Sequence, residues 1–323
     1  MRERKPLDTA LRSFLDEQAA AAGPMPASDA ELVSARRMLI VRALESRSSI
    51  PGLPNRVEAR DVAISGALSG RLYKPARSAE KLPVLVYLHG GGWVAGSVET
   101  HDPFCRLLSE AAGVIIVSVE YRRAPEHPHP AALEDALDAV HWAADNAARW
   151  GGDAARLALG GDSSGGHLAA VTANLLCATH EAPRLRGLLL LYPVTDHPSA
   201  NHLSYTENAT GYGLEAKLMR WFWEQYARGF SPDDPDVSPL RLQKVPPLPP
   251  AFVATAEYDV LRDDGIAYAE KLAGARVAVT HMHASDMHHN FPVHPATVAR
   301  FPQSDSVLTQ IAGWLRATLA AAT

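Results

Sequence analysis

The chain has 323 residues, 47% of them hydrophobic and 21% charged, and a net charge of -5. That much apolar sequence can bury a large core, which excludes a disordered chain, and the mixed charges leave no electrostatic footprint for nucleic acid or an anionic membrane. A small molecule is the expected partner, and no window approaches the roughly 18 apolar residues of a membrane span.

The N-terminal stretch MRERKPLDTALRSFLDEQAAAAG opens basic, but Asp8, Arg12, Asp16 and Glu17 interrupt any apolar signal region, so a cytoplasmic protein is expected. Cys105 and Cys177 sit in apolar helical patterns without CxxC spacing and read as reduced core thiols. Two amphipathic patterns come first: Leu7, Leu11, Phe14 and Leu15, then Leu32, Met38, Leu39 and Leu44, the second opened by a capping box at Ser28 and Glu31. From Val57 the period turns strand-like, through VEARDVAIS, LPVLVYLHG, VIIVSVEY, RLALGG, RGLLLLYP, AFVATAEYD and VAVTHM. Helix-length segments near 131–149, 164–178, 263–273 and 305–320 lie between and after the later strands. This alternation predicts an α/β fold with a mostly parallel sheet covered by helices on both faces. The pattern lapses between Asp196 and Pro250. The expected organisation is a pair of N-terminal lid helices over 1–50 and an α/β domain over 51–323, interrupted by a lid insertion at about 197–245.

Gly161-Asp162-Ser163-Ser164-Gly165 fits G-x-S-x-G and stands between a predicted strand and a predicted helix, the setting of a nucleophile elbow. Glycines on both sides remove a Cβ where the strand and helix backbones crowd, and the helix N-terminus favours negative charge there. Upstream, His89-Gly90-Gly91-Gly92 ends a strongly apolar strand. Three glycines suit a loop whose amides approach a ligand closely. In acyl transfer, amides of Gly91 and Gly92 together with that of Ser164 would form an oxyanion hole.

Six blocks in order, HGGGW, YRRAPEHPHPAALEDA, GDSSGGHLAA, LLLLYPVTD, VSPL and TAEYDVLRDDG, resemble the hormone-sensitive-lipase group of α/β-hydrolases, the bacterial family IV esterases with a GDSAG-type elbow. The resemblance runs from about residue 60 to 320. Ser164, Arg123 and Val260 depart from it, standing where that group usually has alanine, leucine and proline. It implies a serine esterase acting on short- to medium-chain esters through an acyl-enzyme, with no metal or organic cofactor. A non-catalytic hydrolase-fold receptor and an amidase or lactonase are the alternatives, and a homodimer is open.

A serine nucleophile needs a base and a carboxylate to orient it. Asp259 is the first aspartate after the apolar strand AFVATA and stands at the family's acid position, whereas Asp263 and Asp264 read as first-turn residues of the next helix. Among His281, His283, His288, His289 and His294, the stretch His289-Asn290-Phe291 matches the family's H-G-F, with His288 as the other candidate base. Asparagine in the glycine position tolerates positive φ. The histidine spacing lacks a recognised zinc pattern. His89 reads as a brace for the glycine loop, Glu126 and His127 as supports for that loop and the sheet edge, and Arg122 and Arg123 as partners of carboxylates. The cluster Trp221, Phe222, Trp223 reads chiefly as packing of the insertion, and Trp93, Trp221 and Phe222 are the candidates to line a substrate pocket.

Overall fold

The computed structural model describes residues 6–22, 26, 28–46, 57–76, 81–179 and 182–321. Two helices, α1 (Thr9–Ala22) and α2 (Asp29–Ser46), precede the first strand. Ser28 Oγ accepts from the Glu31 amide at 3.3 Å, one half of the expected capping box. The side chains of Leu39 and Leu44 lie outside the described residues.

Eight strands form one sheet: β1 (Val57–Ser65), β2 (Leu68–Pro75), β3 (Leu82–Leu88), β4 (Ile115–Glu120), β5 (Gly152–Asp162), β6 (Leu185–Leu191), β7 (Ala251–Tyr258) and β8 (Val279–His288). Their spatial order is β1-β2-β4-β3-β5-β6-β7-β8. β2 pairs antiparallel with β1 and β4, and every later pairing is parallel. β2 escapes the sequence reading because Gly70, Arg71, Lys74 and Pro75 break its apolar alternation. β8 runs six residues beyond the predicted strand, through His288.

Successive residues of the buried strands serve opposite faces. Val84, Val86, Leu157, Leu159, Leu188 and Leu190 enter one core cluster, and Leu85, Tyr87, Ala158, Leu189 and Phe252 enter the other. The first is covered by α4 (Ala131–Asn146), α5 (Ser164–Cys177) and α8 (Arg262–Gly274). The second is covered by α3 (Asp102–Ala112) and by α10 (Pro302–Thr318), which follows the short α9 (Pro295–Arg300), with Leu11, Phe14 and Leu15 of α1 added. Both cysteines are free, Cys105 buried and Cys177 half-buried. Between β6 and β7 the chain makes short elements, among them α6 (Ser204–Glu207) and α7 (Ala216–Tyr226), before returning to the sheet. No helix among the described residues is long and apolar enough to cross a membrane.

Register brings the carboxyl ends of the central strands level, with Leu88 beside Gly161, Asp162 beside Leu191 and Leu191 beside Ala254. Ligand sites of open parallel sheets lie at that edge, and the predicted chemical residues all leave the sheet there.

Candidate active site

Ser163 leaves β5 with φ 53° and ψ -120°, outside the conformations an L-residue adopts freely. Gly165 is required on its far side, because a Cβ there would run into the Leu88 carbonyl. Asp259 follows β7 directly, and one of its carboxylate oxygens, Oδ1, accepts from the Leu261 amide at 2.9 Å. The side-chain Nδ2 of Asn208 donates to the Asp259 and Glu257 carbonyls at 2.8 and 3.0 Å, fixing the loop that carries the acid.

His289 joins these two residues. Its Nδ1 lies 2.7 Å from Asp259 Oδ2 and its Nε2 lies 3.1 Å from Ser163 Oγ. All three residues are buried, and Asn290, which stands in the glycine place of the H-G-F pattern, has a positive φ of 70°. His288 points elsewhere: its ring faces Phe14 of α1 at 5.8 Å, and its Nε2 has no hydrogen-bond partner among the described residues. His281 and His283 both meet Thr255 Oγ1 at 2.9 Å, and His283 also reaches Glu257 at 3.0 Å, so both belong to the β7–β8 seam.

The glycine loop is held from below by Asp162. Its Oδ1 accepts from the Gly90 amide at 2.9 Å and the Tyr87 hydroxyl at 2.8 Å and lies 3.1 Å from His101 Nε2. Burial alone would raise this carboxyl, but His101, Tyr87 and the Gly90 amide outweigh it and hold the group below the usual range. His89 stacks on Tyr121 with ring centres 4.2 Å apart, and the Tyr121 hydroxyl donates to the His89 carbonyl at 2.7 Å. The bracing role expected of His89 is therefore shared with a tyrosine and with Asp162. No local signal disclosed the bracing role of Asp162 or His101, since their partner Gly90 lies 72 and 11 residues away.

The aromatic candidates separate. Phe222 stands directly over Gly92, so close that a Cβ on that glycine would lie against its ring. Trp93, in contrast, is fully buried, stacked on Tyr226 at 4.4 Å, with its Nε1 donating to His167 Nδ1 at 3.3 Å. Trp221 Nε1 donates to Asp29 of α2 at 2.9 Å. Trp93 and Trp221 thus tie the layers together, because each indole N–H, once buried, must find an acceptor. The expected structural roles of the other charged residues correspond to observed pairs: Arg122 with Asp135 and Glu134, Arg123 with Glu120, and Glu126 with Arg37. Asp264 differs from a simple first-turn residue. Its carboxylate turns inward and accepts from the Thr195 and Asp196 amides at 3.3 and 3.2 Å.

A family model described as alpha/beta hydrolase fold matches residues 85–293. The chain belongs to the α/β-hydrolase family. Within it, the relatives place the chain in the hormone-sensitive-lipase group. The carboxylesterase NlhH of Mycobacterium tuberculosis is 38% identical over 294 residues, covering 89% of each chain. The ethyl acetate hydrolase of Pseudomonas putida is 45% identical over 214 residues, covering 65% of this chain and 66% of the relative. Among solved structures, an ester hydrolase from the metagenome of Lake Arreo, complexed with a bipyridine phosphonate derivative, superposes with a TM-score of 0.88 at 35% identity. It covers 98% of this α/β-hydrolase and is itself covered completely. The Pyrobaculum calidifontis esterase gives a TM-score of 0.85 at 36% identity over 98% and 100% of the two chains.

Proposed function

We propose that this α/β-hydrolase is a serine carboxylesterase for short- to medium-chain esters, with Ser163 as nucleophile, His289 as base and Asp259 as orienting acid. The observation that carries this is the continuous relay from Asp259 Oδ2 through His289 to Ser163 Oγ, at 2.7 and 3.1 Å. Ser163 Oγ attacks the ester carbonyl while its proton passes to His289 Nε2. Asp259 accepts from Nδ1–H, fixing the tautomer and stabilising the imidazolium. The amides of Gly91, Gly92 and Ser164 hold the oxyanion; Ser164 is the first residue of α5, where helical N–H groups lack intrahelical partners. The imidazolium then protonates the departing alkoxide. Water, deprotonated by the same ring, releases the acid from the acyl-enzyme.

Helices α1 and α2 and the segment between β6 and β7 are proposed to form the lid, with Phe222 shaping the acyl side of the pocket. The burial of Ser163 and the ring of Phe222 over Gly92 support a limit on acyl length. The two free thiols support a reducing compartment, the cytoplasm.

A p-nitrophenyl ester series from C2 to C12 tests this reading. Turnover is expected to peak between C2 and C6, and Ser163→Ala to abolish it while leaving the melting temperature and circular dichroism intact. Wild-type activity retained in Ser163→Ala would reject the assignment of the nucleophile. A wild-type protein that binds esters without turnover, and whose serine escapes fluorophosphonate, would instead be a binding protein. An amide and lactone panel separates the remaining leaving groups.

A further inference from the structure

Tyr192 follows the last residue of β6 with φ 35°, a left-handed conformation unusual for any side chain and especially for a bulky one. Strain of this kind persists only where the surroundings impose it, and it concentrates at functional sites. The bend at Tyr192 has a specific consequence for the elbow. Leu191, on one side, accepts from the Ser163 amide at 2.9 Å, and Val194, on the other, donates to the Ser163 carbonyl at 3.2 Å. Tyr192 itself donates its amide to the Ala254 carbonyl at 2.7 Å, anchoring the bend to β7. Two residues three apart in sequence can grip both backbone groups of Ser163 because the chain turns between them.

The side chain acts on the other half of the relay. The Tyr192 ring is fully buried and packs edge-on to His289, with centroids 4.6 Å apart and planes at 62°. It also meets Phe291, two residues beyond the base, at 5.7 Å. The two hydrogen bonds of His289 fix its ring nitrogens, but an imidazole held only at those points can still tilt about the line joining them. A ring packed against it at this angle removes that freedom. The hydroxyl adds nothing to this contact: it has no hydrogen-bond partner among the described residues. Burial, with Asp162 and Asp259 nearby, holds it neutral.

We propose that Tyr192 is a positioning residue that keeps nucleophile and base in register, its backbone bend gripping the Ser163 elbow and its ring fixing the tilt of His289. The inference rests on the esterase reading above. A misplacement of reacting groups by about 1 Å is worth roughly 100-fold in rate, and the contact requires a ring but no hydroxyl.

Steady-state kinetics on p-nitrophenyl acetate with wild type, Tyr192→Phe and Tyr192→Ala test it, together with the rate of fluorophosphonate labelling of Ser163. Tyr192→Phe is expected to keep kcat within about 3-fold, whereas Tyr192→Ala loses roughly 100-fold in kcat with KM within about 3-fold, slows labelling in proportion, and displaces the acid limb of kcat/KM against pH. A merely structural role would lower the melting temperature without moving that limb. Should Tyr192→Ala not fold, Tyr192→Leu supplies apolar bulk without a ring and carries the same expectation. Near-wild-type kcat in either variant lacking the ring overturns the proposal, as does Tyr192→Phe falling as far as they do, which would assign the role to the hydroxyl. Wild-type protein that neither turns over esters nor labels sinks the esterase reading itself, a result distinct from these.

Discussion

Gly92 shows how closely the loop is fitted to what covers it. Its φ of 62° is one that residues with a Cβ adopt at a penalty, and the Phe222 ring fills the space the Cβ would need. Alanine there meets both obstacles, and a loop that moves away from Phe222 carries the amides of residues 91 and 92 with it. Gly92→Ala is expected to lower kcat on p-nitrophenyl acetate by about 100- to 1000-fold, the loss typical of one misplaced oxyanion donor. KM should change little, since the donor acts mainly on the developing charge. A second substitution, Phe222→Ala, removes the steric obstacle but leaves the φ penalty, so the double variant should recover part of the loss. Equal kcat in Gly92→Ala and wild type would show that the loop amides do not hold the charge.

At the scale of elements, α2 is fastened across the glycine loop at two points. Asp29, in its first turn, accepts from Trp221 Nε1 at 2.9 Å and Gln225 Nε2 at 3.3 Å, both on α7, the helix that sets Phe222 over Gly92. Two turns on, Arg37 donates to the Val94 and Ala124 carbonyls, each at 3.1 Å, and to both carboxylate oxygens of Glu126 at 2.7 Å. Ala124 in turn donates to the Trp93 carbonyl at 2.9 Å, so the arginine braces the backbone on both sides of the loop. The Glu126 carboxylate is half exposed, so solvent screens much of that pair, and the two carbonyl bonds matter more. Arg37→Ala should destabilise by about 1 to 2 kcal/mol and lower Tm by a few degrees, and adding Asp29→Ala should expose α2 to limited proteolysis before the sheet unfolds. Cleavage beginning within the sheet strands instead would show that α2 is not separately fastened. None of the bonds made by α2 itself could be read from the chain, because each joins residues 57 to 196 positions apart. What the sequence did disclose was local: β3, β4 and β6 announced themselves as apolar runs because helices cover both faces, and Ser163, Asp259 and His289 each lay in a short motif. β2 carried one weak mark, the Gly66-Ala67 pair that turns β1 into it with Gly66 at φ 52°, a two-residue hairpin signal. Tyr192 carried none, since no aromatic residue advertises a left-handed backbone.

Across the whole molecule, neutral histidines sit in the seams between the sheet and what covers it. His89 lies between the glycine loop and Tyr121, His167 between Trp93 and the Val237 carbonyl, and His288 between β8 and α1. Burial pulls each of these rings from an ordinary value of 6.5 down to about 3. Between those limits the unfolded chain holds protons that the folded chain does not, so stability rises with pH across this window and is lost as pH falls below 6.5. Asp264 acts with the opposite sign: burial lifts its carboxyl from 3.8 to about 7, so in that interval the folded chain holds the extra proton and gains stability as pH falls. Glu120, Asp236 and His202, also raised, act with Asp264, but His129, His197 and His294, lowered by burial, act with the three rings, and the net slope is towards acid instability. Tm should therefore be highest near neutral pH and fall steadily from pH 6.5 to 4.5. His288→Phe is the cleanest single test, because Nε2 of that ring has no hydrogen-bond partner among the described residues, so its removal breaks no bond seen there. Denaturant titrations at successive pH values should give a slope of stability against pH reduced by up to about 1.4 kcal/mol per unit relative to wild type, one proton's worth. An unchanged slope would mean that His288 titrates alike in both states, and a wild-type Tm level or rising towards pH 4.5 would remove the seam histidines as the cause of acid unfolding.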